Sequence, residues 1–108
     1  MYTYHAFVTS VYDGDSVTLD IDLGFGVVLK GQKIRLLRVN APEIRGESRP
    51  MGLKSRDALR AKLTEKWIIL RTVKDKKGKY GRWLGEIWID DVCINDWLLT
   101  EGHAAPYG

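Results

Sequence analysis

The sequence predicts an α+β domain, mainly β: a five-stranded Greek-key barrel of the OB type, with one helix between strands 3 and 4 and one C-terminal helix. Three observations lead there. Val17, Leu19, Ile21 and Leu23 alternate with Thr18, Asp20 and Asp22, the period-2 pattern of a half-buried strand. Further short β-branched and aromatic segments are separated by Gly and Asp turns. A single helix-forming stretch interrupts the strands after the third of them. An SH3-like barrel would have no need of that central helix.

Residues 4–12 read as the first strand, ended by Asp13-Gly14-Asp15, and the alternating run is the second, with Gly24-Phe25-Gly26 as its turn. Strand material continues through Val27–Leu29 and Ile34–Val39, with residues 30–33 as a bulge or a second turn. Pro42 ends it, since proline has no N–H for a ladder. Residues 43–51 read as loop. Gly52–Lys66 is helical in composition, with Ser55, Leu59 and Leu63 sharing a face. Trp67–Val73 and Arg82–Ile89 are the fourth and fifth strands, and Asn95 stands at the N-cap of a last helix that Gly102 stops.

The 108 residues predict a single domain spanning 1–108. Apolar residues at 44 % and charged residues at 29 % fit a folded globular chain and not disorder. No apolar run approaches the ~20 residues of a membrane span, so no membrane partner is expected. No signal-peptide pattern precedes the first strand, which predicts a cytoplasmic product unless a leader has been trimmed. The lone Cys93 excludes an internal disulfide and reads as a passive thiol. The net charge of +3 is small, but Arg71, Lys74, Lys76, Lys77, Lys79 and Arg82 surround one acid, Asp75. Such a stretch suits a polyanion, or serves as a solvated loop.

Three motifs carry chemistry: Asp13-Gly14-Asp15-Ser16, the run from Arg35 to Glu43 (RLLRVNAPE), and Lys79-Tyr80-Gly81-Arg82. Among their residues stand a carboxylate pair with an amide (Asp15, Glu43, Asn40) and the arginines Arg35 and Arg82. That inventory suits phosphodiester hydrolysis: a hard cation takes oxygen ligands, an attacking water needs a base, and guanidinium groups pair the charge that grows on phosphoryl oxygens.

In this order and spacing, and with the segment from Asn95 to Gly102, the motifs resemble the staphylococcal (thermo)nuclease family over nearly the whole chain. The resemblance implies a calcium-dependent endonuclease that cleaves DNA and RNA, single strands preferred, to 3′-phosphate products. By position, Asp15 matches the first Ca2+ carboxylate, Arg35 the arginine that pairs the scissile phosphate, and Glu43 the glutamate that orients or deprotonates water. Arg82 matches the arginine that stabilises the transition state or leaving group, and Lys79 and Tyr80 match contacts to a terminal phosphate. The second calcium carboxylate falls at Asn40, with the Ala41 backbone carbonyl beside it where the family has threonine; the lost charge implies weaker calcium binding. Tyr107 lies one residue out of register with a tyrosine that stacks on a base.

The rival reading is a non-catalytic nucleic-acid-binding OB module with a degraded metal site. No obligatory protein partner is expected, and the chain reads as a monomer. Asp13 reads as a turn former, and Asp20 and Asp22 as solvated strand residues. Arg38, Arg45 and Arg49 are either phosphate contacts or solvated charges.

Overall fold

The computed structural model describes residues 2–74 and 83–107. In chain order its elements are β1 (Tyr2–Asp13), β2 (Ser16–Gly24), β3 (Val27–Leu36), β4 (Val39–Asn40), a 3₁₀ turn (Gly46–Ser48), α1 (Arg49–Leu63), β5 (Trp67–Lys74), β6 (Trp83–Ile89), β7 (Val92–Cys93), α2 (Ile94–Thr100) and β8 (Ala105–Pro106). The main sheet runs β3-β2-β1-β5-β6, and a parallel pairing of Ile34–Leu36 in β3 with Trp83–Gly85 in β6 closes it. The result is the expected five-stranded α+β barrel, with α1 between the third and fourth barrel strands.

Alternation builds the interior. Val17, Leu19 and Ile21 are buried with Ala6, Val8 and Val11 of β1, Ile34 and Leu36 of β3, Leu70 of β5 and Ile87 of β6. The alternation stops counting at Leu23, which is 44 % exposed: the β2–β3 hairpin runs past the barrel end, and Phe25, Val27, Val28 and Leu29 are exposed with it. Residues 30–33 form a bulge and not a turn. Leu19 faces Gln32 while Ile21 faces Leu29, and the extra residue is accommodated by Gly31 at φ 66°. Asp20 Oδ1 accepts the Gly31 N–H at 2.9 Å, and Asp22 Oδ1 accepts that of Gly24 at 2.8 Å. These two carboxylates therefore fasten the hairpin and are not merely solvated.

Three local expectations need correction. β3 ends at Leu36; Leu37 and Arg38 turn, with Arg38 at φ 69°, and Val39–Asn40 leaves the barrel to pair with Ala105–Pro106. α1 begins at Arg49, with Pro50 in its first turn, and ends at Leu63. Glu65 at φ 58° breaks the chain away from the helix. Its buried face is Gly52, Ser55, Leu59 and Leu63, which extends the anticipated stripe by one glycine.

Asn95 is not a cap. α2 starts at Ile94 with Cys93 at its N-cap, and the Asn95 side chain is 0 % exposed. Its Oδ1 accepts the Ile87 N–H at 3.0 Å, and its Nδ2 donates to the carbonyls of Leu37 at 2.9 Å and Gly85 at 3.0 Å. All of the amide's main demands are met by backbone groups that lie on both sides of the closing seam. Among the described residues, no helix is long and apolar enough to cross a membrane.

Candidate active site

The turn between β1 and β2 places the first carboxylate. Asp13 Oδ1 accepts the Asp15 N–H at 3.1 Å, an Asx-type bond that fixes the turn. Gly14 lies at the tip, buried so closely that a Cβ there would meet the Ser55 hydroxyl and the Ala41 methyl. This close approach docks the turn on both α1 and the chain just after β4. Asp15, 7 % exposed, consequently accepts the Ala41 N–H on Oδ2 at 2.8 Å and the Ser16 hydroxyl on Oδ1 at 3.2 Å.

Arg35 reaches the same point from β3. Its Nη2 lies 3.5 Å from Asp15 Oδ2 and donates to Asn40 Oδ1 at 3.3 Å. Its Nη1 donates to the carbonyls of Leu36 at 2.9 Å and Val39 at 2.7 Å, which sets the orientation of the guanidinium. The guanidinium carbon stands 5.4 Å from the centroid of the Tyr107 ring, a cation–π distance. Tyr107 is delivered by the β4–β8 pairing and by its own N–H, which donates to the Arg38 carbonyl at 2.9 Å.

The electrostatics are those of crowded carboxyls. Burial, reinforced by the hydrogen bond and charge of neighbouring Asp15, pushes the Asp13 carboxyl up to about 6. Asp15 and Asn40 present side-chain oxygens, the donor type a hard divalent cation takes, with the Arg35 guanidinium between them. The charge is modest, however. Asn40 contributes a neutral oxygen, and among the described residues no three His, Cys, Asp or Glu side chains gather.

The structure thus brings Asp15, Arg35, Asn40, Ala41 and Tyr107 together. Glu43 follows two residues beyond Ala41, exposed, with its main chain held: its carbonyl accepts the Ser48 hydroxyl at 2.9 Å and packs against Gly52 of α1. Lys79, Tyr80 and Arg82 lie outside the described residues. Trp83, which follows Arg82 in sequence, pairs with Ile34 beside Arg35.

Sequence reasoning missed the Ser16 hydroxyl's bond to Asp15, whereas Asp13 is the turn former it was read as. Arg38, left open between phosphate contact and solvated charge, is an exposed residue held by two carboxylates. It pairs with Asp96 at 2.8 Å and Glu86 at 2.9 Å, which raises its basicity further. Arg49 donates to the Ile44 carbonyl at 2.9 Å and steadies the strap that carries Glu43.

Comparison with known proteins places these features in context. The family model for Staphylococcal nuclease homologues matches residues 33–108, which includes Arg35, Asn40 and Glu43 and begins after the Asp15 turn. A thermonuclease of Staphylococcus hyicus is 31% identical over 100 residues, covering 90% of this chain and 56% of that protein. A thermonuclease of Staphylococcus intermedius is 30% identical with the same coverage. An uncharacterised protein of Methanocaldococcus jannaschii is 29% identical over 131 residues, 96% of this chain and 59% of its own. The chain spans little more than half the length of these relatives.

Proposed function

Because the chain belongs to the Staphylococcal nuclease homologue family, we propose that it is a calcium-dependent endonuclease that hydrolyses phosphodiester bonds of DNA and RNA and leaves 3′-phosphate ends. The observation that supports this most directly is the convergence of Asp15, Arg35 and Asn40, with Arg35 within 3.5 Å of both partners.

In this reading Arg35 pairs the scissile phosphate. Its Nη1 bonds to Leu36 and Val39 hold the fork in place before substrate arrives, so little reorganisation accompanies charge development. Glu43 takes a proton from water as the water oxygen attacks phosphorus in line, and the P–O5′ bond breaks, the departing oxygen taking up a proton from solvent water. Arg82 donates a hydrogen bond toward the departing oxygen, and Lys79 and Tyr80 hold a neighbouring phosphate. Asp15, Asn40 and the Ala41 carbonyl would hold the Ca2+, which would supply positive charge to the site. The chain would act as a monomer and favour single strands.

The test is incubation with single-stranded DNA and RNA in calcium. Fragments bearing 3′-phosphate ends are expected, stopped by chelator and slowed about 10²–10⁴-fold in Glu43→Gln. The neutral Asn40 favours one alternative, a strand-binding module without turnover. Binding that persists while no fragments form, unaltered by chelator or by Glu43→Gln, would establish that alternative instead.

A further inference from the structure

A cleft of about 470 Å³ adjoins the site on the face of β1, β2 and β3 that bears Ser16, Lys33 and Arg35. Ser16 and Arg35 sit opposite each other across the β2–β3 ladder, and both line it. The cleft therefore begins where the carboxylate pocket ends. Its floor is largely apolar, from the edges of Val11, Val17 and Ile34, and Tyr12, 59 % exposed, forms one wall.

The charge around it is one-sided. Lys33, Arg35 and Arg60 line the cleft and, among the described residues, no carboxylate does. Arg60 is braced from α1 by its Nε, which donates to the Val11 carbonyl at 3.1 Å. An aromatic wall, an apolar floor and a cationic rim match a nucleotide, whose base offers a π-face and whose phosphate offers charge.

We propose that this cleft is a second nucleotide subsite, which takes the residue of a single strand next to the phosphate held by Arg35. The base lies against Tyr12 and the apolar floor, and its phosphate faces Lys33 and Arg60. The inference rests on the nucleic-acid reading above and extends it: the strand runs across the β1–β3 face. Substrates long enough to fill the cleft should bind better than short ones.

Binding of 4-mer and 12-mer single strands, both DNA and RNA, should be measured by fluorescence anisotropy in chelator, separately from cleavage in calcium. Wild type should favour the 12-mer. Tyr12→Ala and Lys33→Ala should each weaken 12-mer binding about tenfold, while Tyr12→Phe retains it. Lys33→Ala should also lower the slope of log affinity against log salt by about 0.7. Lys30→Ala, on the same strand beyond the cleft, should change affinity less than twofold. Wild-type 12-mer affinity and salt slope in both Tyr12→Ala and Lys33→Ala would overturn the subsite, even if cleavage is observed. Weakened binding in those variants without any cleavage would support the subsite and overturn the enzymatic reading alone. No strand binding by wild type would overturn the subsite, and absence of cleavage in calcium as well would overturn both.

Discussion

The Asp15 carboxylate accepts the main-chain N–H of Ala41 at 2.8 Å, a buried bond between residues 26 apart in sequence. One side chain thereby holds the first hairpin against the strap that leads to Glu43. Asp15 is thus structural as well as a prospective ligand, and its two roles can be separated by experiment.

Asp15→Ala leaves the Ala41 N–H buried without its acceptor, and destabilisation of about 1–3 kcal/mol is expected. Urea unfolding in chelator reads this loss with metal binding set aside. A midpoint equal to wild type would show that the bond carries no net stability.

Asn40→Asp restores a carboxylate beside Asp15 and within reach of Arg35. Calcium binding by isothermal titration calorimetry should tighten on the order of tenfold, because ligand charge is a main determinant of affinity for this ion. Unchanged heats would argue that the oxygen cluster is not a cation site.

Substituting alanine for a helical glycine ordinarily stabilises by about 1 kcal/mol. Gly52→Ala should do the reverse. A Cβ at that position would stand 2.6 Å from the Glu43 carbonyl carbon and 2.8 Å from the Pro42 oxygen, both main-chain atoms with little room to retreat. The expected outcome is a lower melting temperature together with slower cleavage, since the strap bearing Glu43 must shift.

Asn95→Ala should be among the most damaging single changes, costing about 2–4 kcal/mol by removing three bonds to buried main-chain groups. Asn95→Asp should not rescue it, because a carboxylate oxygen would then face the carbonyls of Leu37 and Gly85. Denaturant midpoints for the two variants check this.

Cys93 is 6 % exposed, and burial is the largest of the influences that push its thiol above the usual cysteine range. The folded state thus keeps this proton to higher pH than the unfolded chain does. Stability should decline as pH rises past about 8.5, the ordinary thiol value. Cys93→Ala should remove that part of the decline, and thiol labelling of the wild type at pH 8 should proceed only as fast as the protein opens.

Much of the barrel was legible because its signals are local. Alternation in β2 and the Asp-Gly and Gly-Phe-Gly turns are properties of a few adjacent residues, and they hold. The site motifs were legible for the same reason: Arg35, Asn40 and Ala41 occupy one short run, and the turn at Asp15 another. What escaped depends on groups far apart in the chain. Arg38 meets partners 48 and 58 residues away, which no window around it contains. Asn95 has the residue type and position of a cap, yet its amide is more completely satisfied by Ile87, Leu37 and Gly85 than by the start of α2. Gly52 read as a helix start, whereas its missing side chain is what lets the Glu43 strap lie flat on α1.

Among the described residues, three residue pairs join β3 to β6 and close the barrel, whereas its other ladders run to six or seven. That short join carries Arg35 on one margin and the strand that follows Arg82 on the other. Warming should therefore part the ring there while the remaining sheet still holds, so that heat inactivation would precede the loss of overall structure.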